Sequence, residues 1–210
     1  MPQQSFAFEP NGPKRLTLSW GAFWKNFTVS VDSNQVAALT PEEVKTGKDV
    51  RLPDGSTLRI HLKTGFGNAG LELTRDGKPL PGAANDPQSM VKSAAYLLYF
   101  LAALNAVLGA AVVAFHVTAL ENMGLGVGNI ILGFIFAVGG YFTMQRSMVA
   151  LGLSIALYAI DGIAGLVMAA EAGGRPGVGG IFIRVFFIII LARGITGIRM
   201  HKAAEKAPAA

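Results

Sequence analysis

Met148-Val-Ala-Leu-Gly-Leu-Ser-Ile-Ala-Leu-Tyr-Ala-Ile-Asp-Gly-Ile-Ala-Gly-Leu-Val-Met-Ala-Ala170 decides the fold. At 1.5 Å per residue this stretch is long enough, as a helix, to cross about 30 Å of hydrocarbon, and Asp161 is its one ionised side chain. A helix on the surface of a soluble bundle would carry a polar stripe, and this one has none. Three more such stretches surround it, at 93–116, 123–144 and 179–198. The connections between them, 117–122, 145–147 and 171–178, are short enough to make consecutive helices antiparallel neighbours.

The other half of the chain reads differently. From Arg15 to Leu80 apolar residues alternate with polar ones: Leu16, Leu18, Trp20; Phe27, Val29, Val31; Leu58, Ile60, Leu62; Leu71, Leu73. Period two is the signature of strands with one dry and one wet face. Asp32-Ser33-Asn34, Pro53-Asp54-Gly55 and Asp76-Gly77 fall between the runs and supply turn chemistry. The expected fold class is therefore α+β: a small antiparallel β-sandwich or barrel of six or seven strands, followed by a four-helix transmembrane bundle. The expected boundaries are a flexible N-terminus (1–14), the β-domain (15–81), a linker (82–92), the transmembrane domain (93–199) and a cytoplasmic tail (200–210).

Charge is divided in the same way. Residues 1–90 hold ten Lys/Arg and nine Asp/Glu, and residues 91–210 hold eight and four. The net charges of +1 and +4 place most of the basic excess with the helices, which argues against a nucleic-acid surface on the β-domain. Arg75, Lys78, Lys92, Arg146, Arg199, Lys202 and Lys206 gather at one set of helix ends. Arg175 stands alone at the other, beside Glu121 and Glu171. Basic loops stay on the cytoplasmic side, so both termini and the β-domain are expected there, in a multi-pass cell-membrane protein. The polar stretch Met1–Pro13 has no apolar signal-peptide core, which leaves the first membrane helix as the expected insertion signal.

Charges at membrane depth are the candidate functional residues, because each is costly if it faces lipid unpaired. Counted along the helices, Asp161 and Arg184 lie at the same level, about 21 and 22 Å from the cytoplasmic end. They are expected to pair, as a structural lock or as part of a transport pathway, with Asn105 as a further polar group near mid-bilayer. Arg193 is expected to snorkel to the headgroups, and Trp24 with Lys25 to pack as a turn or to touch the membrane interface as an anchor. Small residues spaced by four, such as Ala102, Ala106 and Ala110, or Gly152 and Ala156, allow close helix packing within one chain or in a homo-oligomer.

Other motifs lead away from catalysis. Gly65-Phe-Gly-Asn-Ala-Gly70 has the spelling of a dinucleotide-binding turn, yet a strand pattern follows it where a helix is required. Gly124-Leu-Gly-Val-Gly128 has no strand before it. His61, His116 and His201 have no acid or second histidine at ligand spacing, and cysteine is absent. The expectation is therefore no catalytic residue, no metal and no cofactor. A non-enzymatic scaffold or interaction protein, binding the lipid bilayer and a protein partner through the β-domain, is the first functional expectation. A small oligomeric transporter or channel subunit is the second.

Overall fold

The computed structural model describes residues 2–65, 68–116, 126–171 and 178–206. Two compact units divide the chain, Met1–Ser89 and Met90–Ala210.

The first unit holds two four-stranded antiparallel meanders. Strands β1 (Gln3–Ala7), β2 (Lys14–Ser19), β3 (Phe27–Val31) and β4 (Asn34–Leu39) form one, and β5 (Lys48–Arg51), β6 (Thr57–Gly65), β7 (Asn68–Arg75) and β8 (Lys78–Pro79) form the other. Neither sheet closes on itself. The alternating residues Leu16, Leu18, Phe27, Val29, Leu58, Ile60, Leu62, Leu71 and Leu73 are all buried, and both sheets feed one hydrophobic cluster. Tight hairpins sit where turn residues tolerate left-handed backbone: Asp32 and Ser33 at φ 49° and 69°, Asp76 and Gly77 at 47° and 81°.

In sequence, the short helix α1 (Pro41–Thr46) links the first sheet to the second, fixed by a capping box. Glu43 donates its backbone N–H to the Thr40 hydroxyl oxygen, and the Thr40 backbone N–H returns a bond of 3.0 Å to the Glu43 carboxylate. Residues 3–7 correct one expectation: they are no loose tail but a strand paired with β2 from Gln3↔Ser19 to Ala7↔Lys14. Only Phe6 of β1 is buried, so the strand carries no alternation to read.

Among the described residues, four long helices follow: α2 (Pro87–Phe115), which enters the second unit at Met90, α3 (Val127–Met144), α4 (Met148–Glu171) and α5 (Val178–Lys206). All four are long and apolar enough to cross a membrane, with mean hydropathies of 1.7 to 2.2 over their most apolar windows. Only 22 to 28% of those windows is buried inside the unit. Phe134, Val149 and Leu153 point outward, the reverse of a water-soluble bundle. Helix α2 starts at Pro87, inside the expected linker, where Asp86 accepts the Gln88 N–H and proline occupies the first helical position. Helix α5 runs past 199 into the expected tail, and Glu205 near its end pairs with Arg146 at 3.0 Å.

Glycines let the helices touch. A Cβ on Gly133 of α3 would lie 2.8 Å from the Ala102 carbonyl oxygen of α2, and one on Gly139 would lie 2.2 Å from the Ser154 Oγ of α4. On α5, Gly194 approaches Ala94 of α2 and Leu151 of α4 as closely, with 2.5 and 3.0 Å available. The buried hydroxyls of Thr143 and Ser154 donate to carbonyls of their own helices, Gly139 at 2.7 Å and Ala150 at 2.9 Å. Neither hydroxyl is thereby left bare in the apolar interior.

Candidate functional site

Helices α4 and α5 bring Asp161 and Arg184 together. Arg184 Nη1 donates to Asp161 Oδ2 at 3.1 Å, and the two side chains remain 35% and 41% exposed on the surface of the unit. Tyr158, one turn before Asp161, holds its ring 5.5 Å below the guanidinium carbon, within cation–π range. Gly162 forms the channel through which the arginine passes: a Cβ there would lie 2.7 Å from Nη1 and 3.2 Å from Cδ. Gly165, one turn further, stands 3.8 Å from Nη2 measured the same way. Tyr158, Asp161, Gly162 and Gly165 follow the i, i+3, i+4, i+7 spacing of one helix face.

Aromatic packing fixes the floor of this cradle. Tyr158 meets Phe136 of α3 edge-on at 6.1 Å and Phe187 of α5 at 6.4 Å, and Phe187 meets Phe100 of α2 at 6.3 Å. One layer of rings therefore draws on all four helices and holds the tyrosine that supports Arg184. The aspartate is placed by a helix whose position is over-determined by this packing, so the pair is pre-organised.

Asn105 lies elsewhere. Its Nδ2 donates to the Leu101 carbonyl at 2.9 Å and its Oδ1 accepts from Asn129 at 3.1 Å, which joins α2 to α3. No hydrogen bond among the described residues links it to Asp161 or Arg184. Arg193 is half-buried on α5. Glu121 and Arg175, used to orient the helices, lie outside the described residues, as do Phe66 and Gly67 of the first glycine motif. Strand β7 begins at Asn68, directly after them.

Trp24 and Lys25 belong to the β2–β3 loop. Trp24 stacks on Trp20 at 4.8 Å and packs against the domain core, while Lys25 is exposed. Among the described residues, no three His, Asp or Glu side chains gather at metal-binding distance.

Sequence reading identified the two charges but not their support. That support comes from Tyr158 and Gly162, which stand at helical spacing from Asp161. Comparison with known protein families, curated proteins and solved structures gives no match for this chain.

Proposed function

We propose that the chain is a multi-pass cell-membrane protein with both termini in the cytoplasm, whose β-domain is a two-sheet sandwich acting as a non-enzymatic interaction head. The observation that carries this reading is an asymmetry of sheet edges. The second sheet ends in strands that carry charge or proline, Lys48-Asp-Val-Arg51 on one side and Lys78-Pro79 on the other. Such residues guard an edge against further pairing. The first sheet ends in Gln3-Gln-Ser-Phe-Ala7 and Asn34-Gln-Val-Ala-Ala-Leu39, with no Lys, Arg or Pro. Strand β4, the longer of these, is the edge to which an extended segment of a protein partner adds.

A double substitution tests this in the full-length protein. Gln35 and Ala38 are both exposed on β4, so Gln35→Lys with Ala38→Lys leaves the core intact while guarding the edge. Photo-crosslinking from β4 in intact cells then loses its adducts, and thermal unfolding of the β-domain stays unchanged. Adducts that persist at full yield in the double variant reject the reading.

A second reading has its own observation, the exposure of the Asp161–Arg184 pair on the outer face of α4 and α5. In a homo-oligomeric transporter or channel, that face would line a polar path between copies of the chain. Solute or ion flux in proteoliposomes that disappears in Asp161→Asn, with the fold retained, would place this reading first.

A further inference from the structure

We propose that the exposed edge of the Asp161–Arg184 pair is closed by a second copy of this chain, in a two-fold dimer whose subunits share the pair. This rests on the reading that the four helices span a bilayer, and it requires no transport. Within one copy the pair is unfinished. Arg184 donates from Nη1 to Asp161 Oδ2, and among the described residues no further hydrogen bond reaches Asp161 Oδ1, Arg184 Nη2 or Arg184 Nε. A guanidinium presents several N–H donors in a planar fork, and a carboxylate accepts on both oxygens. Both side chains remain partly exposed on the outer face of α4 and α5. Acyl chains offer neither donor nor acceptor, so each unused group left among them is costly. The arginine is also kept from reaching along its helix to the headgroups. Tyr158 lies under its guanidinium carbon at 5.5 Å and Gly162 backs Nη1 and Cδ, which holds the charge at the level of the aspartate.

Depth and charge complementarity supply the occupant. Counted along α4 and α5, Asp161 and Arg184 stand about 21 and 22 Å from the same side of the bilayer. The bias of basic residues inserts every copy the same way round, so a two-fold axis along the membrane normal keeps each residue at its own depth. Such an axis also reverses any direction lying in the plane of the membrane. The line from Asp161 to Arg184 lies in that plane, across two adjacent helices. Its image in a facing copy therefore runs backwards and sets Arg184 against the partner subunit's Asp161, twice over. The four charges then form a ring in which each guanidinium meets two carboxylates. An unrelated chain would need an acid and a base of its own at this level, whereas a second copy brings both without adjustment. The surface beside the pair is low enough for close approach: Ala164 and Gly165 are exposed, and even a Cβ on Gly165 would stay 3.8 Å from Arg184 Nη2.

Purified full-length protein in liposomes of phosphatidylcholine with a minority of phosphatidylglycerol tests this with no other protein present. The native chain has no cysteine, so Lys202→Cys takes one dye per chain, and single-molecule photobleaching counts chains per particle as protein is diluted into lipid. Native chains should pair. Asp161→Asn and Arg184→Gln, each checked for retained helix content, should weaken pairing by at least about tenfold, and Phe134→Ala on the outer face of α3 should leave it unchanged. The decisive variant exchanges the charges, Asp161→Arg with Arg184→Asp. Each such chain keeps an internal pair and fits its own kind, but against a native chain it sets acid on acid and base on base. Exchanged chains should therefore pair among themselves and refuse native ones in two-colour mixtures. Free mixing overturns the proposal. So does native protein that stays monomeric at every dilution, which would leave the pair to a lipid headgroup or a different protein. Should the exchanged chain fail to fold, cross-linking decides: Gly165→Cys is joined by a short bis-maleimide and Phe134→Cys is not, and equal yields overturn the proposal. A dye at Phe134→Cys reports the spanning reading separately, because it must be quenched by a nitroxide deep in the acyl region. Failure there rejects the membrane bundle itself, and the dimer with it.

Discussion

Both units bury large apolar side chains, but they differ in which residues make their closest contacts and in what faces outward. In the β-domain the fully buried positions are large: Leu16, Leu18, Phe27, Leu58, Ile60 and Leu73, with no exposed surface. Between the helices the tightest contacts are made by the smallest residues, Gly109, Gly133, Gly139 and Gly194, while Phe134, Val149 and Leu153 face outward. Water explains the first arrangement, since each large side chain withdrawn from it contributes roughly 1.5 to 3 kcal/mol. A surrounding as apolar as leucine removes that gain, and close backbone approach, ring layers and polar pairs remain as the sources of cohesion. Four helices long and apolar enough to cross a membrane fit the second arrangement.

That contrast breaks first, and most severely, at Gly133. Replacement by leucine drives a side chain into the Ala102 carbonyl and the Ala106 amide, both backbone atoms with no rotamer to move. A loss of at least about 3 kcal/mol in bundle stability is expected, read by detergent or steric-trap unfolding, with the β-domain signal intact. Leu73→Ala is the mirror experiment. It opens a void on central strand β7 and should cost the β-domain about 3 kcal/mol in denaturant unfolding, leaving helix content unchanged.

The Asp161–Arg184 pair comes next. Asp161→Asn leaves Arg184 with a neutral partner and is expected to destabilise the bundle by about 3 kcal/mol. The double change Asp161→Leu with Arg184→Leu should recover most of that loss, as a thermal-melt double-mutant cycle would show. Non-recovery would mean that Tyr158 and Gly162 hold the arginine for more than its charge.

Smaller effects sharpen the same comparison. Leu153→Ala, 66% exposed on α4, should change stability by less than about 0.5 kcal/mol, against the several expected for a buried leucine of the β-domain. Acid should act on the β-domain through its surface. Arg15 holds the Asp32 carboxyl below its ordinary value, the Ser56 hydroxyl and amide do so for Asp54, and the Thr40 amide for Glu43. Groups whose folded pKa is lowered stabilise the fold above their unfolded value, near 4, and lose that contribution as pH falls through the folded one. The thermal midpoint of the β-domain should therefore stay flat from pH 8 to about 5 and fall below about 4. Arg15→Gln should flatten part of that decline.

What could be read from the residues follows from these physics. Strands β2, β3, β6 and β7 declare themselves because each buries every second residue. The edge strand β1 buries Phe6 alone, and β4 pairs across a register shift at Val29/Ser30, so neither alternates cleanly. Helix α1 is carried by its Thr40–Glu43 cap, with Val44 as its one buried residue, too little for a periodic signal. Asp161 and Arg184 stood out as charges at equal depth, because depth is a count along a helix. The cradle of Tyr158 and Gly162 needed the facing of two helices, which spacing along one of them does not specify.

Helix α5 continues beyond its apolar portion and is clasped near its end by Arg146 from the turn between α3 and α4. This last stretch of α5 is thereby a stiff mast and not a whip. A dye placed at exposed Lys202 would tumble at the pace of the whole helical unit, so its slow anisotropy decay would report on the particle and not on local wagging.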